Sequence, residues 1–422
     1  MLFLQGPPGT FFKRLAEHLE ALGAKCIRVR LNPGDLFDSL GQDAVSYRGS
    51  FTAWPDWLRR FGTAHGVTDL VFYGDCRPYH KVAGDVLKRQ GVRVHVFEEG
   101  YLRPRWIAYE RDGVNGNSKL VSLPLARIDR QALAEVPAPD IAEVGDPMWP
   151  YIWKGLRYYA YNFFFCFLYP FYRGHRAQGL IEEAWYWTFR WPILPRVKRR
   201  ARARARTVLD AAKPIHLVLL QLNGDFQLRA HSPFNSVTEF IELCIRTYAN
   251  AGIRDEPLVF KNHPLDIGHL NLDRFIRETA RAHGVEDRCV FIDGGKLAKL
   301  LKLTKSVVAV NTTSCQQTIG RGIPTKVMGT AIYNHSGLTS DQTLEAFFRD
   351  PQPPDPELYN LFRMFLLVTS QINGNFSTDQ GIEMTLEPLG RKMMAEAEGF
   401  EEFVSADPNL ELKEVVSTPA AE

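Results

Sequence analysis

The sequence has few of the features that would assign a protein to a class at once. Its six cysteines, at positions 26, 76, 166, 244, 289 and 315, form no CxxC pair and no metal-binding spacing, which predicts reduced thiols in a cytosolic protein. A net charge of +3 is too small to imply nucleic-acid binding by itself. The N-terminus has neither a basic region nor a long apolar run, so we expect a strand there rather than a signal peptide.

The chain does contain enough apolar sequence for large cores. It has 422 residues, 45% hydrophobic and 12% aromatic, which predicts two or three domains. Short Val-rich runs alternate with helical segments, a pattern typical of βαβ units and a parallel sheet. The predicted strands cover 2–5, 26–31, 69–73, 92–97, 216–222, the start of 258–266, 289–292, 306–310 and 325–328. The predicted helices cover 11–22, 53–65, 79–89, 236–250, 272–283, 297–303, 315–319 and 342–372.

The predicted fold class is α/β, with two Rossmann-like lobes facing a cleft and an aromatic-rich helical insertion. The predicted segments are an N-terminal Rossmann-like lobe (1–148), the aromatic and basic helical insertion (149–212), a C-terminal Rossmann-like lobe (213–340), C-terminal helices (341–405) and a disordered tail (406–422).

The insertion has an unusual composition. Residues 149–191 are packed with aromatic side chains, but the uninterrupted apolar part is too short to span a bilayer. An Arg-rich run, 196–206, follows. Aromatic residues beside clustered arginines suit a segment that lies on an anionic membrane. A helical insertion with a solvated basic face is the alternative, and the residues leave both open.

Polar side chains follow two of the predicted strands, at the edge where parallel sheets bind ligands. They are Lys261, His263, Thr312, Thr313 and Ser314. A lysine, a histidine and three hydroxyls are suitable donors for phosphate oxygens, and the helix predicted at 315–319 would add its N-terminal amides. We therefore expect a phosphate-bearing ligand such as a nucleotide. An N-cap and an ordinary loop histidine are the alternative.

The turn at 6–10 superficially resembles a phosphate-binding loop. It lacks the Gly-Lys-Ser/Thr ending, and Phe11 and Phe12 stand in its place. Gly6 is still expected to approach a substrate by its backbone.

Three acids lie at the ends of predicted strands: Glu98, Glu99 and Asp225. A carboxylate in such a position can act as base, acid or nucleophile, although each could equally be a turn residue or an N-cap. Because Glu98 and Glu99 are adjacent, their repulsion is expected to raise one pKa. Nearby positive groups that could hold a sugar acid are Arg77, His80, Arg229 and His231.

Three short motifs, Glu98-Glu99-Gly100, His263-Pro264 and Thr313-Ser314, resemble in order those of bacterial transferases that use CMP-activated sugars, including several sialyltransferases. The resemblance implies that the acidic motif supplies a catalytic carboxylate. It also implies that the His-Pro histidine and the Ser/Thr pair bind the CMP phosphate.

Longer strings at 4–12, 73–77, 97–104 and 171–176 resemble the capsule polysaccharide biosynthesis family of the KpsS/LipB type, over about residues 1–380. The resemblance implies a GT-B-like fold and a retaining β-Kdo transferase. Such an enzyme takes Kdo, a 2-keto sugar acid, from CMP-Kdo to a lyso-phosphatidylglycerol anchor. The single-module length fits addition of the first Kdo. Asp225 matches the position of the expected nucleophile, although Phe226 and Gln227 follow it where relatives more often have small polar residues.

The residues expected to bind substrates are Gly6, Arg77, Arg103, Gln221, Arg229 and His231. The expected partners are CMP-Kdo, lyso-phosphatidylglycerol, the inner face of the inner membrane, a second Kdo transferase and the capsule export complex, with no nucleic acid, cofactor or metal. Two alternatives stay open. One is an inverting transferase of the CMP-sialic-acid type, since Kdo and sialic acid are both 2-keto acids carried on CMP. The other is a non-catalytic component of capsule assembly or export.

Overall fold

Two β-sheets organise the chain, one in each of two units. A computed structural model describes residues 1–137, 139, 141–144, 148–174, 180–222, 224, 226–264, 266 and 268–405, with the backbone alone at 180–191 and 226–227. The first unit joins Met1–His175 to Phe362–Glu422, and the second is Arg176–Leu361. The predicted segment 341–405 is therefore divided between the two units, and the predicted tail, 406–422, lies outside the described residues.

The elements follow in chain order. They are β1 (Leu2–Phe3), α1 (Phe11–Ala21), β2 (Ile27–Arg30), α2 (Pro33–Asp38), β3 (Ala44–Ser46), α3 (Trp54–Ala64), β4 (Asp69–Tyr73), α4 (Pro78–Lys88), β5 (Arg93–Glu99), β6 (Trp106–Arg111), α5 (Arg130–Glu135), α6 (Met148–Phe164), α7 (Leu180–Asp210), β7 (Ile215–Leu219), α8 (Phe226–Ala230), α9 (Val237–Ala251), β8 (Leu258–Lys261), α10 (Leu272–Ala282), β9 (Cys289–Ile292), α11 (Leu297–Leu300), β10 (Thr304–Ala309), α12 (Cys315–Ile319), β11 (Thr325–Val327), α13 (Leu344–Arg349), α14 (Pro356–Thr369), β12 (Gln371–Asn373) and α15 (Asp379–Met394).

The first unit contains a sheet of seven strands in the order β12-β6-β5-β4-β1-β2-β3. The adjacent strands β5, β4, β1, β2 and β3 are parallel. Strand β6 pairs antiparallel with β5, and β12 pairs antiparallel with β6 at the edge of the sheet opposite β3. Both faces are covered: Leu2 and Leu70 belong to one apolar cluster, and Phe3 and Val71 belong to the other. Strand order reverses direction between β1 and β4, and ligands of open α/β sheets bind at such a reversal.

The second unit contains a sheet of five parallel strands in the order β11-β10-β7-β8-β9. Its core includes Val218, Phe260 and Val308 from the strands, against Phe240 of α9 and Phe347 of α13. Here the reversal lies between β7 and β10, which makes the ends of these two strands the expected ligand-binding edge.

The predicted α/β class and the two Rossmann-like lobes are confirmed. Several predicted elements have the predicted limits, among them β4, β9 and α12. The sequence did not predict the short elements β3, β12 and α2, nor β6, which pairs antiparallel with both β5 and β12. Glu98 and Glu99 were expected to follow a strand, but they are its last two residues, because β5 continues through them to pair with β6.

Helix α6 buries polar side chains and exposes apolar ones, which is the reverse of an ordinary surface helix. Its inner face carries polar groups: Tyr158 donates from its hydroxyl to Asp35 Oδ1 at 2.9 Å, and Asn162 Oδ1 accepts from the Gly34 amide at 2.8 Å. Its outer face exposes Trp149 (72%) and Trp153 (68%). Further exposed apolar residues on or directly after the helix are Ile152, Leu156, Phe163, Phe164, Phe167 and Phe171.

Helix α7 carries the Arg-rich run. Arg204 makes a two-pronged ion pair with Asp273, at 2.8 and 3.0 Å. The other basic residues of the run are exposed: Arg196, Lys198, Arg199, Arg200, Arg202 and Arg206. Within the described part of the chain, no helix is both long and apolar enough to cross a bilayer.

The glycine that follows β12 lies in close contact with α15. Gly374 has φ +146°, and a Cβ there would lie 2.4 Å from the carbonyl oxygen of Gly381 in α15. We expect Gly374→Ala to lower the free energy of unfolding by about 1–3 kcal/mol, the usual cost of such strain. Chemical denaturation would measure this. Gly399→Ala is the control, because its Cβ would meet nothing within 4 Å, and an equal loss in both variants would contradict the assignment.

Candidate functional site

In the first unit, Glu98 and Arg77 lie against the same glycine. Gly74 ends β4 with φ +74°, and a Cβ on it would lie 3.6 Å from Glu98 Oε2 and 3.5 Å from Arg77 Nε. The Arg77 guanidinium carbon lies 5.0 Å from the centre of the Tyr73 ring, and both side chains favour the charged form of Glu98, which lowers its pKa. The left-handed glycine therefore lets a cation and a carboxylate meet at the end of the strand.

Glu98 and Glu99 cannot serve the same ligand. Consecutive residues of a strand point to opposite faces, and Glu98 pairs with Ala108 while Glu99 pairs with Ile107. Glu98 is on the side of Tyr73 and Arg77, whereas Arg103 is the cation that acts on Glu99. We therefore favour Glu98 as the chemically active member of the pair.

Burial sets the protonation of this cluster. It raises the pKa of Glu98 to about 7, while Tyr73 and Arg77 favour the charged form and the charge of Glu99 opposes it. Burial also raises the pKa of Glu99, and Arg103 acts in the opposite direction. The expected repulsion between the two acids is present, but burial is the larger cause.

His80 does not supply the positive charge that the sequence suggested. Its Nδ1 lies 2.8 Å from the Gly74 carbonyl oxygen, and its ring stacks on Phe72. Burial lowers its pKa to about 3, so the imidazole is neutral at neutral pH. His80 therefore positions the Gly74 turn, and Arg77 is left as the nearby cation.

Two other predicted substrate contacts differ in exposure. Gly6 is buried after β1, and a Cβ there would lie 2.8 Å from the Phe12 ring. That ring covers the α-carbon of Gly6, so a ligand can reach this turn only at its backbone polar groups. Arg103 is exposed, and its Nε donates to the Gly100 carbonyl at 3.4 Å.

In the second unit, two side-chain amides join the strands on either side of the reversal. Gln221 follows β7 and Asn311 follows β10. Gln221 Nε2 donates to Asn311 Oδ1 at 2.9 Å, and Gln221 Oε1 accepts from the backbone N–H of Asn311 at 3.1 Å. This reciprocal pair fixes the edge of the sheet where a ligand is expected.

The predicted phosphate-binding loop after β8 is held by an asparagine. Asn262 Nδ2 donates to Asp266 at 2.9 Å and to Asp293 at 3.0 Å, while its Oδ1 accepts from the His263 amide at 2.9 Å. Lys261 is buried, donates to the Asn262 carbonyl at 3.2 Å, and has its pKa lowered by that burial. His263 is half-buried and Pro264 is exposed.

The hydroxyl loop follows β10. Thr312, Thr313 and Ser314 are all half-buried. The Tyr333 hydroxyl donates to the Thr312 carbonyl at 2.5 Å, and Thr312 Oγ1 accepts from the Ser314 amide at 3.4 Å. Helix α12 has the predicted limits but only five residues. Because so short a helix has a weak dipole, the hydroxyls of the preceding loop are the main groups here that could bind an anion.

One further amide near this loop was missed by the sequence reasoning. Gln316 is 4% exposed, and both its side-chain oxygen and nitrogen are enclosed without a hydrogen-bond partner among the residues described. Asn262, Asn311 and Gln316 all adjoin the predicted motifs. The signal that could have found them is their proximity to a strand end. The hydrogen bonds of Asn262 and Asn311, and the lack of a partner for Gln316 among the described residues, are visible only in the fold.

The remaining candidates follow β7. Asp225, the predicted nucleophile, lies outside the described residues. Arg229 is exposed on α8. His231 contributes its carbonyl oxygen, which accepts from the Thr330 amide at 2.7 Å and from Asn311 Nδ2 at 3.3 Å. No group of three His, Cys, Asp or Glu side chains that could hold a metal occurs in the described ranges.

The fold and these strand-end clusters define an α/β protein with two Rossmann-like lobes, in which polar residues gather where such sheets bind ligands. The family described as capsule polysaccharide biosynthesis protein matches residues 68–377. The capsule polysaccharide export protein KpsS of Escherichia coli is 32% identical over 375 residues, which cover 88% of this chain and 95% of that protein. The chain therefore belongs to the capsule polysaccharide biosynthesis family.

Other similarities agree in coverage. The capsule polysaccharide modification protein LipB of Neisseria meningitidis serogroup A is 32% identical over 385 residues, covering 89% of this chain and 91% of that protein. Among solved structures, KpsC of Thermosulfurimonas dismutans, titled a beta Kdo 2,7 transferase, has a TM-score of 0.45 and 13% identity, covering 92% of this chain and 100% of that one.

The raised pKa of Glu98 makes stability depend on pH. Its contribution is fully present below the ordinary pKa of 4.5 and is lost as the pH rises through about 7, because the folded protein holds the proton more tightly. We expect Glu98→Gln to become more stable relative to the wild type, by on the order of 1–3 kcal/mol, between pH 5 and pH 8. Unfolding experiments at both pH values would measure this. Glu20→Gln, an exposed change on α1, is the control, and a difference for Glu98→Gln that does not change with pH would refute the shift.

Proposed function

We propose that the protein is a retaining glycosyltransferase that moves Kdo from CMP-Kdo to a lyso-phosphatidylglycerol anchor, adding the first Kdo of a capsule linker. The observation that supports this most is a set of three motifs. The acidic, His-Pro and Thr-Ser motifs all stand at carboxyl ends of strands in Rossmann-like sheets, in a chain of the capsule polysaccharide biosynthesis family. A role in making capsule polysaccharide agrees with the description of the family and with LipB, which is a capsule polysaccharide modification protein.

Two carboxylates carry the proposed chemistry. The Asp225 carboxylate attacks the anomeric carbon of Kdo as the bond to the CMP phosphate breaks, and CMP leaves with the electron pair. An acceptor hydroxyl then attacks the same carbon, gives its proton to Glu98 and releases Asp225. Two inversions give net retention. A pKa of about 7 lets Glu98 hold or release a proton near neutral pH, as a general base requires.

The second unit is the proposed CMP-binding half. His263, Thr313 and Ser314 donate hydrogen bonds to the phosphate. Lys261, Pro264 and Thr312 complete the nucleotide set. Because these donors offset the charge of the leaving phosphate, the proposed reaction does not require a metal.

Two alternatives have their own support. An inverting transferase of the CMP-sialic-acid type would use Glu98 as base for a single displacement, without a covalent intermediate. A non-catalytic export component would agree with the Escherichia coli relative KpsS, which is named a capsule polysaccharide export protein. Such a component has no need to bind CMP.

The reaction is tested by incubating the pure protein with CMP-Kdo and lyso-phosphatidylglycerol and weighing the product. We expect one Kdo added to the lipid with retained configuration. Asp225→Ala should be folded and bind CMP but be inactive, because it lacks the nucleophile. His263→Ala should weaken CMP binding by about 1.5–3 kcal/mol, as expected for a hydrogen bond to a charged group.

The outcomes separate the alternatives. Intact-protein mass spectrometry with CMP-Kdo alone should show one Kdo on Asp225. An inverted product, or normal turnover by Asp225→Ala, would favour single displacement. Absence of CMP binding by calorimetry would favour the export component.

We also propose that the protein lies on the inner face of the inner membrane, through the outer face of α6 and the basic run of α7. An apolar side chain that is fully buried contributes about 1.5–3 kcal/mol, and each basic residue near an anionic surface about 1 kcal/mol. The exposed tryptophans and arginines are the groups that would gain from both effects.

Vesicle flotation tests this localisation. We expect binding to anionic vesicles that falls with salt, and a loss of about tenfold or more when Trp153→Ser and Leu156→Ser are combined. Leu22→Ser is the matched control, because Leu22 is also exposed (48%) but lies beside Gly390 of α15. Equal binding to neutral vesicles would contradict the electrostatic part, and equal binding by both variants would contradict the role of α6.

A further inference from the structure

Two buried acids beneath α6 already have their hydrogen bonds. Asp35 accepts from the Leu31 amide at 3.0 Å, from Gln5 Nε2 at 3.1 Å and from the Tyr158 hydroxyl at 2.9 Å. Asp38 accepts from the Gly9 amide at 2.7 Å and from Arg157 Nη2 at 3.0 Å. Most of these donors are neutral, so the two carboxylates accept few of the hydrogen bonds that the nearby cationic side chains could donate.

Three cations surround these acids and keep unpaired N–H groups. Arg28 is 3% exposed, and its Nε and Nη1 have no acceptor within the described ranges. Lys154 Nζ and Arg157 Nε are likewise enclosed without an acceptor among the residues that the structure describes. Burial lowers the pKa of both Arg28 and Lys154, because removal from water disfavours the charged form of each side chain. Buried polar groups of native proteins normally have partners, and an unpaired buried charge is strongly unfavourable.

The three cations gather at the turn before α1. The Lys154 side chain occupies the space beside Gly9, where a Cβ would lie 2.7 Å from Lys154 Cδ. Arg157 reaches the same glycine through Asp38, and the Arg28 guanidinium carbon lies 6.0 Å from the ring centre of Phe12 in the first turn of α1. Asp38 acts electrostatically on both Arg28 and Lys154.

The adjoining end of α1 is also suited to an anion. Thr10 makes no side-chain cap bond, and no acidic residue lies in the first turn of this 11-residue helix. Its free amides and the positive end of its dipole therefore add to the surplus of N–H donors. A phosphate has enough acceptor oxygens to pair with a lysine and two arginines together.

The opposite face of α6 indicates which class of phosphate-bearing molecule would bind. Lys154 and Arg157 alternate along α6 with Trp153 and Leu156, which are 68% and 60% exposed. One helix, about 10 Å across, therefore separates the unpaired cations from an apolar surface. A molecule with a phosphate group joined to an acyl chain matches both faces, whereas a free phosphate matches only one.

We propose that Arg28, Lys154 and Arg157 form the binding site for the phosphate of a glycerophospholipid in the first unit. This inference rests on the proposed function only for the statement that the lipid is the acceptor.

The test compares Lys154→Met and Arg28→Met with the wild type, using a short-chain lyso-phosphatidylglycerol below its micelle concentration. We expect each variant to bind it 10- to 100-fold more weakly by calorimetry, the loss typical of one charge-assisted hydrogen bond. The lipid should raise the melting temperature of the wild type but not of Arg28→Met. Lipid-free Arg28→Met should be less stable than the wild type, because Arg28 also offsets the charge of the buried Asp35. Lys154→Met carries the comparison if Arg28→Met does not fold.

Several controls separate the sources of binding. Lys13→Met is the matched control, since Lys13 lies on α1 but pairs with the Leu40 carbonyl and Glu17, and it should bind as the wild type does. Glycerol phosphate should bind weakly and depend on Lys154. Monoacylglycerol of the same chain length should show no dependence on Lys154. CMP affinity should be unchanged in all variants.

Three results would overturn the inference: equal lipid affinity of Lys154→Met and Lys13→Met, an equal loss of monoacylglycerol binding, or no lipid binding by the wild type. If transfer to the lipid is normal in Lys154→Met and Arg28→Met, the proposed function stands and this site is wrong. If the lipid binds through these residues but no sugar is transferred, the site stands and the proposed function is wrong.

Discussion

The structure depends first on parallel strands that are buried on both faces. Such strands have apolar side chains above and below, so polar groups can enter only where the strands end. In the first sheet this brings Gly74, Arg77 and Glu98 together at the ends of β4 and β5. In the second sheet it brings Gln221 to Asn311 at the ends of β7 and β10. Each unit therefore concentrates its chemistry at one edge of its own sheet.

Burial also decides which of these groups are charged. It raises the pKa of Glu98 to about 7 and lowers that of His80 to about 3, although both lie beside Gly74. The carboxyl thereby becomes able to exchange a proton near neutral pH, and the imidazole becomes a neutral support for the turn. The same effect acts on Lys261 in the second unit, where burial lowers the pKa of the ammonium group. Position in the fold, more than residue type, sets the chemical role.

Helix α6 also depends on which of its side chains are buried, but here the buried face is polar and the exposed face is apolar. Its polar and cationic residues lie inside, against Asp35 and Asp38, and its large apolar residues lie outside. Ordinary surface helices bury their apolar stripe, since that burial is what holds them in place. Here hydrogen bonds to Asp35 and Asp38 and the stacking of Tyr161 on Phe37, at 3.9 Å, hold the helix instead. An apolar outer face held by a polar inner face is what a helix between a protein and a lipid surface requires.

The sequence by itself determined the α/β class, most buried strands and the motifs at their ends, because apolar runs and the turns after them are local patterns. The limits of β9 and α12 are examples. Only the tertiary structure decided which ends meet. The pairing of Gln221 with Asn311 joins residues that are 90 positions apart, and the return of β12 to β6 joins residues more than twice as distant. The N–H groups of Arg28 that lack an acceptor among the described residues could not be predicted from the pattern of an ordinary strand, because burial and missing acceptors are properties of packing rather than of local sequence.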